Sequence, residues 1–304
     1  MTANDSQSDA THAPKPAPAL HMLSFDVEEY FQVEAAREGG VGEEHWDDWP
    51  RRLAPCVHRI LAMLEEHGSR ATFFVLGSIA AEQPGVVRAI AAAGHEIASH
   101  GQSHTMLDRL GRDGLRRELR DSKALLEDLS GREVIGFRAP TFSVGPDTLW
   151  ALDELAAAGY RYDSSIFPVR HDRYGMPDSP RWAHRRDLAD GRSIVEIPPL
   201  TLRLLGMNLP AGGGGYLRIL PTWLIAAALR RCARRRRATM LYLHPWELDP
   251  DQPVLPMSLA SRWRHRVNLS RTAGKLHRLL RAMSFRPAGD FTDDPAASIF
   301  TNAR

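Results

Sequence analysis

Met22-Leu23-Ser24-Phe25-Asp26-Val27-Glu28 is an apolar run that closes on two carboxylates, and its reading decides the fold. It predicts a first strand, and downstream of it strand-like runs alternate with helical patterns. That alternation argues for parallel βα units rather than a sandwich or a helical bundle. Pro55–His67 reads as a helix with Val57, Ile60, Leu61 and Leu64 on one face, followed by a buried strand at Ala71–Leu76. Glu82–Ala93 reads as a helix capped by Gly94, His95–Ser99 as a strand, and Gly114–Leu129 as a charged amphipathic helix ended by Gly131. Val134–Arg138, Pro146–Ala158 and Tyr160–Ile166 continue the rhythm. Between Pro168 and Pro221 the regularity fails, with clustered Pro, Gly, Arg and Asp and the run Gly212-Gly213-Gly214-Gly215. A helix near Thr222–Arg236, a strand at Thr239–His244 and an amphipathic helix at Leu269–Met283 follow. About seven βα-type units, some hidden in the irregular region, predict an α/β barrel.

Composition sets the outer bounds. A chain of 304 residues, 43% hydrophobic and 25% charged, can bury a sizeable core, which excludes disordered and collagen-like classes. One elaborated domain and two smaller ones both remain open at this length. The 39 basic and 37 acidic residues leave a formal charge of +2, too balanced for bulk nucleic-acid or membrane binding, so any basic function is local. Two cysteines, Cys56 and Cys232, exclude a disulfide framework or a Cys-rich zinc ribbon. No secretory signal is visible in residues 1–20, which read as a disordered lead-in, and the default expectation is a cytoplasmic protein.

Four groups of residues offer chemistry at predicted strand ends. Strand geometry turns Asp26 and Glu28 to the same side, although two solvated surface acids are the plainer alternative. His100 and His104, four positions apart after a strand, can aim at one metal, and two histidines plus a carboxylate make an open metal site; capping histidines are the alternative. Arg138 can pair with a carboxylate at the same end, and His244 can act as general acid or base. Catalytic groups in parallel barrels gather from the carboxyl ends of different strands, which favours reading the four together.

Further stretches extend the pattern: Ala71-Thr72-Phe73-Phe74-Val75-Leu76-Gly77, Phe137-Arg138-Ala139-Pro140, Tyr162-Asp163-Ser164-Ser165 and Leu241-Tyr242-Leu243-His244-Pro245. With Ser24-Phe25-Asp26 and Ser99-His100…His104, in this order, the chain resembles the polysaccharide deacetylase family, the NodB-homology carbohydrate esterases, over roughly Leu23 to Leu248. Asp26-Val27-Glu28-Glu29-Tyr30-Phe31-Gln32-Val33, the glycine run leading to Tyr216-Leu217-Arg218, and His244-Pro245-Trp246-Glu247-Leu248-Asp249-Pro250 resemble the deacetylases of bacterial exosortase and exopolysaccharide loci. The segment from Val267 to Phe285 is similar to that subgroup's carboxyl-terminal extension.

The resemblance implies an α/β fold, a distorted (β/α) barrel of about seven parallel strands with an elaborated loop region and a C-terminal helical extension. The expected organisation is a lead-in over 1–20, the barrel over 21–250 and an extension over 251–304 packed on it. The implied reaction is metal-dependent hydrolysis of N-acetyl groups on an amino-sugar polysaccharide or a lipid-linked oligosaccharide precursor, in exopolysaccharide biosynthesis. The implied cofactor is a divalent metal, zinc by preference, on Glu28, His100 and His104. Asp26 is the implied base, Arg138 its partner, and His244 the acid that protonates the amine, oriented by Asp163. The family commonly has adjacent aspartates in its first motif, whereas Val27 stands second here. Valine binds no metal, so Glu28 takes the ligand role or exchanges roles with Asp26.

The irregular region then covers an elongated groove, with Trp182, Tyr174 or Tyr216 offering flat faces to sugar rings; ordinary packing is the alternative. The glycine run is either part of that cover or a turn. The arginines at 230, 231 and 234–237 read as a solvated helix end, or as a contact for an anionic glycan, a membrane surface or a biosynthetic partner, with nucleic acid least favoured. Rival readings are a hydrolase of small linear or cyclic amides on the same fold and a noncatalytic glycan-binding scaffold.

Overall fold

The computed structural model describes residues 21–292, so the expected lead-in and the end of the extension lie outside the described residues. Among the described residues ten strands are formed: β1 (His21–Val27), β2 (Thr72–Val75), β3 (Glu96–Ser99), β4 (Gly136–Phe137), β5 (Tyr162–Asp163), β6 (His184–Asp187), β7 (Ser193–Glu196), β8 (Thr201–Leu204), β9 (Met207–Pro210) and β10 (Thr239–Leu243). Eight of them make one sheet in the order β10-β1-β2-β3-β4-β5-β7-β6, and β8 and β9 form a separate hairpin. All neighbours in the large sheet are parallel except the β6–β7 edge pair, which leaves seven parallel strands as the sequence predicts. The sheet curls until Pro199, just after β7, bridges Met240 of β10.

The parity of β1 divides the molecule. Leu23, Phe25 and Val27 face outward into a core shared with Val57, Ile60 and Leu64 of the helix Leu53–Glu66. Met22 faces inward with Phe74, Ala98, Tyr162 and Met240, and Ala288 and Phe291 from the end of the described chain join it. All seven β1 residues are buried, as both faces of a parallel strand are when helices cover the sheet.

Several elements differ from the sequence expectation, each for a local reason. The helix expected over Glu82–Ala93 is two, Gly77–Glu82 and Pro84–Ala92, because the residue before a proline is driven out of the helical region. The helix ended by Gly131 begins earlier, at Leu107, with a break at Gly111 (φ 63°). The irregular region contains β6 to β9; its barrel strand, β7, escapes notice because Ser193-Ile194-Val195-Glu196 is short and set among charged residues. At Gly213 a Cβ would lie 2.1 Å from the Tyr242 carbonyl oxygen, so the glycine run permits close packing on β10, while Gly214 and Gly215 line a cavity beside Tyr242. Cys56 and Cys232 are both free. No helix among the described residues is long and apolar enough to cross a membrane.

Candidate active site

Inward parity on β1 carries upward from Met22 through Ser24 and Asp26 to Glu28, and the ends of β3 and β10 bring His100 and His244 to the same mouth. Glu28, His100 and His104 are all buried, and their donor atoms lie within 4.8 Å of one another. His104 Nε2 is 2.7 Å and His100 Nε2 4.0 Å from Glu28 Oε2. Oε2 nevertheless has no aligned hydrogen-bond partner, so its lone pairs and the imidazole nitrogens converge on one point. The His100 Nδ1 proton is donated to the Arg138 carbonyl oxygen (2.8 Å), which leaves the Nε2 lone pair facing inward. Two imidazole nitrogens and a carboxylate oxygen fit a divalent metal of the zinc type.

Backbone strain concentrates here. His104, Thr141 and Phe142 have φ of 56°, 56° and 52°, and all three line the cavity over the trio. The loop carrying His104 is held by Glu118 of the helix Leu107–Ser130, which accepts from Gln102 N (2.9 Å) and Ser103 Oγ. Burial lowers His100 to about 4, helped by the neighbouring His104 and opposed by Asp26 and Glu28. Burial acts to raise Glu28, yet His104, His244 and His100 together bring it down to about 2. A bound cation would add its own charge to this balance.

Asp26 is paired with Arg138, Nη1 to Oδ1 at 2.5 Å, in a guanidinium with no solvent exposure. Arg138 also donates to Ser24 Oγ (3.0 Å) and the Ser164 carbonyl and lies 4.1 Å from the Phe74 ring centroid. Asp163 is fully buried, accepts from Ser165 Oγ, and Ser165 in turn accepts from Ala139 N (2.7 Å). Asp163 therefore braces the backbone beside Arg138. It does not orient His244, contrary to the expectation drawn from the resemblance.

That position is held by Glu247, whose Oε1 lies 2.9 Å from His244 Nδ1 and 3.0 Å from His244 N. His244 Nε2 then faces Asp26 Oδ2 at 3.8 Å and Glu28 Oε1 at 3.5 Å. Burial opposes a charge on His244, but Glu28, Glu247 and Asp26 outweigh it and raise the imidazole to about 9. Glu247 is itself paired with buried Arg218 (2.7 Å), which donates to the carbonyls of Arg264, His265 and Val267. Trp246 donates to Glu28 Oε1 (3.3 Å) and stacks between His244 and His265. Arg218 and Glu247 stood inside quoted sequence stretches without a role, since only the fold sets one beside the other.

A cavity of about 190 Å³ opens over Asp26, Glu28, His100, His104 and His244. It shares His104 and Glu34 with a second of about 140 Å³, and Tyr174, Tyr242 and His244 with a third of about 300 Å³. The three make an elongated groove. Tyr174 and Tyr216 line it, whereas Trp182 lies elsewhere, with Arg237 3.7 Å from its ring centroid. A second group with ligand atoms, Glu66, His67 and His277, is partly exposed, and its two histidines are bonded to each other (3.1 Å).

Residues 45–162 match the family profile described as polysaccharide deacetylase, and residues 164–292 match a domain of unknown function, DUF3473. A chitooligosaccharide deacetylase of Sinorhizobium fredii is 32% identical over 117 residues, 37% of this chain and 49% of that protein. A chitooligosaccharide deacetylase of Rhizobium leguminosarum bv. trifolii is 38% identical over 77 residues, 25% of this chain and 35% of the relative. A peptidoglycan-N-acetylglucosamine deacetylase of Bacillus cereus is 33% identical over 97 residues, 32% and 35% of the two chains. The matches thus span half or less of those relatives. In fold, the chain is similar to Puue allantoinase, with a TM-score of 0.57 at 16% identity over 98% of this chain and 100% of the other. Residues 45–162 are thus similar to the polysaccharide deacetylase family, in their profile match and in the curated relatives alike.

Proposed function

We propose that the protein hydrolyses N-acetyl groups on the amino sugars of a glycan, releasing acetate and a free amine. The observation that carries this reading is the convergence, at one barrel mouth inside an elongated groove, of the Glu28, His100 and His104 trio with the Asp26–Arg138 pair and His244. A divalent metal held by the trio supplies Lewis acidity to the reacting carbonyl when bound. Arg138 fixes Asp26, which removes the proton from the attacking water. Once the water oxygen has bonded to the carbonyl carbon, His244, its Nδ1 side fixed by Glu247, gives a proton from Nε2 to the departing nitrogen as the C–N bond breaks. The raised affinity of His244 for a proton suits that second step.

The relatives named for chitooligosaccharide and peptidoglycan substrates support the substrate class. The finer reading is an amino-sugar exopolysaccharide or its precursor, with the cytoplasm as compartment; deletion followed by glycan acetyl analysis tests the first, and fractionation of the full chain tests the second. The direct experiment is metal analysis of the purified chain with acetate release measured on chitooligosaccharides and peptidoglycan fragments. One equivalent of metal and stoichiometric acetate are expected. Turnover of allantoin without acetate release from any glycan would replace this reading with small-amide hydrolysis, and no turnover at all with a binding role.

A further inference from the structure

Away from the mouth, the β8–β9 hairpin ends in an unusual tip. Leu204, Leu205 and Met207 are 55%, 87% and 61% exposed, and the turn is Leu205-Gly206. Both turn residues have positive φ, 48° and 80°, a conformation in which Asn-Gly is the ordinary choice and leucine carries strain. Three large apolar side chains at a protruding turn offer nothing to the core of this molecule.

Beside the tip lies a cleft of about 460 Å³ that β8 forms with the helix Thr222–Arg234. Six arginines line it, Arg181, Arg203, Arg231, Arg234, Arg235 and Arg237, and among the described residues no carboxylate does. Their bonds run instead to neutral groups: Arg181 to Thr201, Arg203 to Asn208, Arg237 against Trp182. The chain as a whole carries only +2, so this concentration of charge is local. Arg237 precedes β10 at its amino end, whereas His244 follows its carboxyl end.

We propose that the hairpin tip and the arginine cleft together form a docking surface for an anionic lipid bilayer, the tip entering the acyl boundary and the arginines taking lipid phosphates. Charge complementarity selects the occupant: a soluble polyanion satisfies the cleft but leaves the apolar tip in water, whereas an anionic bilayer answers both. The inference is independent of which bond the active site cleaves.

The test is co-sedimentation of the full chain with vesicles of phosphatidylglycerol and phosphatidylcholine against vesicles of phosphatidylcholine alone. Binding to the anionic vesicles that weakens with added salt is expected. A basic residue near such a surface is worth roughly fivefold in partitioning, so the triple reversal Arg231→Glu, Arg234→Glu, Arg235→Glu should reduce binding at least about tenfold. The tip variant Leu204→Asn, Leu205→Asn, Met207→Asn should also reduce it, with an unchanged thermal midpoint because these side chains are exposed. Equal binding to both vesicle types overturns the proposal. Wild-type binding by the tip variant also overturns it, in favour of a soluble anionic glycan or protein at the cleft.

Discussion

Two glutamates face the interior of the same barrel, Glu28 at the carboxyl ends of the strands, 1% exposed, and Glu96 at the amino ends, half-buried. Glu96 is answered by Thr72 Oγ1 (2.6 Å), Tyr162 Oη (2.9 Å) and Gly289 N (3.0 Å), so the far end of the chain closes the barrel floor over a satisfied carboxyl group. Burial raises its proton affinity. Glu28 receives only a long bond from Trp246 on one oxygen, while the other, unanswered by a hydrogen bond, faces two imidazoles. Both carboxyl groups are withdrawn from water to some degree. What separates a site from a plug is donor atoms left converging without partners, because an unsatisfied buried carboxylate is costly unless something else occupies the point it faces.

The largest effect expected from this contrast is that of Glu28→Gln: loss of co-purified metal and a fall in acetate release on the order of 10⁴-fold, the several kcal/mol that an electrophilic metal supplies. Retention of metal by this variant, with loss in Asp26→Asn instead, would exchange the two roles. Asp26→Asn itself should keep its metal and lose about 10³-fold in kcat, the scale of general base catalysis. Glu247→Gln should cost about 10–100-fold, mainly in kcat, with metal content unchanged, since it acts through the orientation of His244. If Glu247→Gln turns over like wild type, the His244–Glu247 contact has no catalytic part.

At the closed end the effects move from rate to stability. Glu96→Gln should leave kcat intact and lower unfolding stability by about 1–3 kcal/mol, read from denaturant midpoints; a large loss of turnover would erase the distinction between the two ends. The other stability effect is a pH slope. Burial lowers His21 and His95 from 6.5 to about 4, so the unfolded chain binds more protons than the folded one between those values. Stability should therefore fall as pH is lowered from about 6.5 to about 4, and a flat denaturant midpoint over that window would refute it. Glu96 works the other way, its raised carboxyl costing stability as pH rises, so Glu96→Gln should steepen the acid-side loss.

Much of the mouth was legible because a strand has a period of two. Once Met22–Glu28 is read as a buried strand, Asp26 and Glu28 must share a face, and the residues that end the later strands, His100, Arg138 and His244, follow by the same rule. The rule fails for partners that come from no predicted strand end. Glu247 follows His244 by three residues in a 3-10 turn, and its own partner Arg218 sits on the short helix Gly214–Ile219. Asp163 ends a strand of two residues, and its acidic character alone did not show that it would brace Ser165 rather than His244. Trp182 was offered to the groove on the chemistry of its ring, whereas its position beside Arg237 depends on where β6 meets the sheet edge.

By itself the sequence determined the βα alternation, six of the seven parallel strands and the inward parity of the acids, because these depend on local period and on burial that each segment encodes alone. Tertiary structure alone decided that Glu247 and Arg218 stand behind His244, that β7 lies within a stretch read as loop, that the glycine run packs on β10, and that β8, which leads to the apolar hairpin tip, lines the arginine cleft. Each of these is a contact between segments far apart in the chain, chosen by packing and charge complementarity in the closed barrel, and no periodicity within either segment carries it.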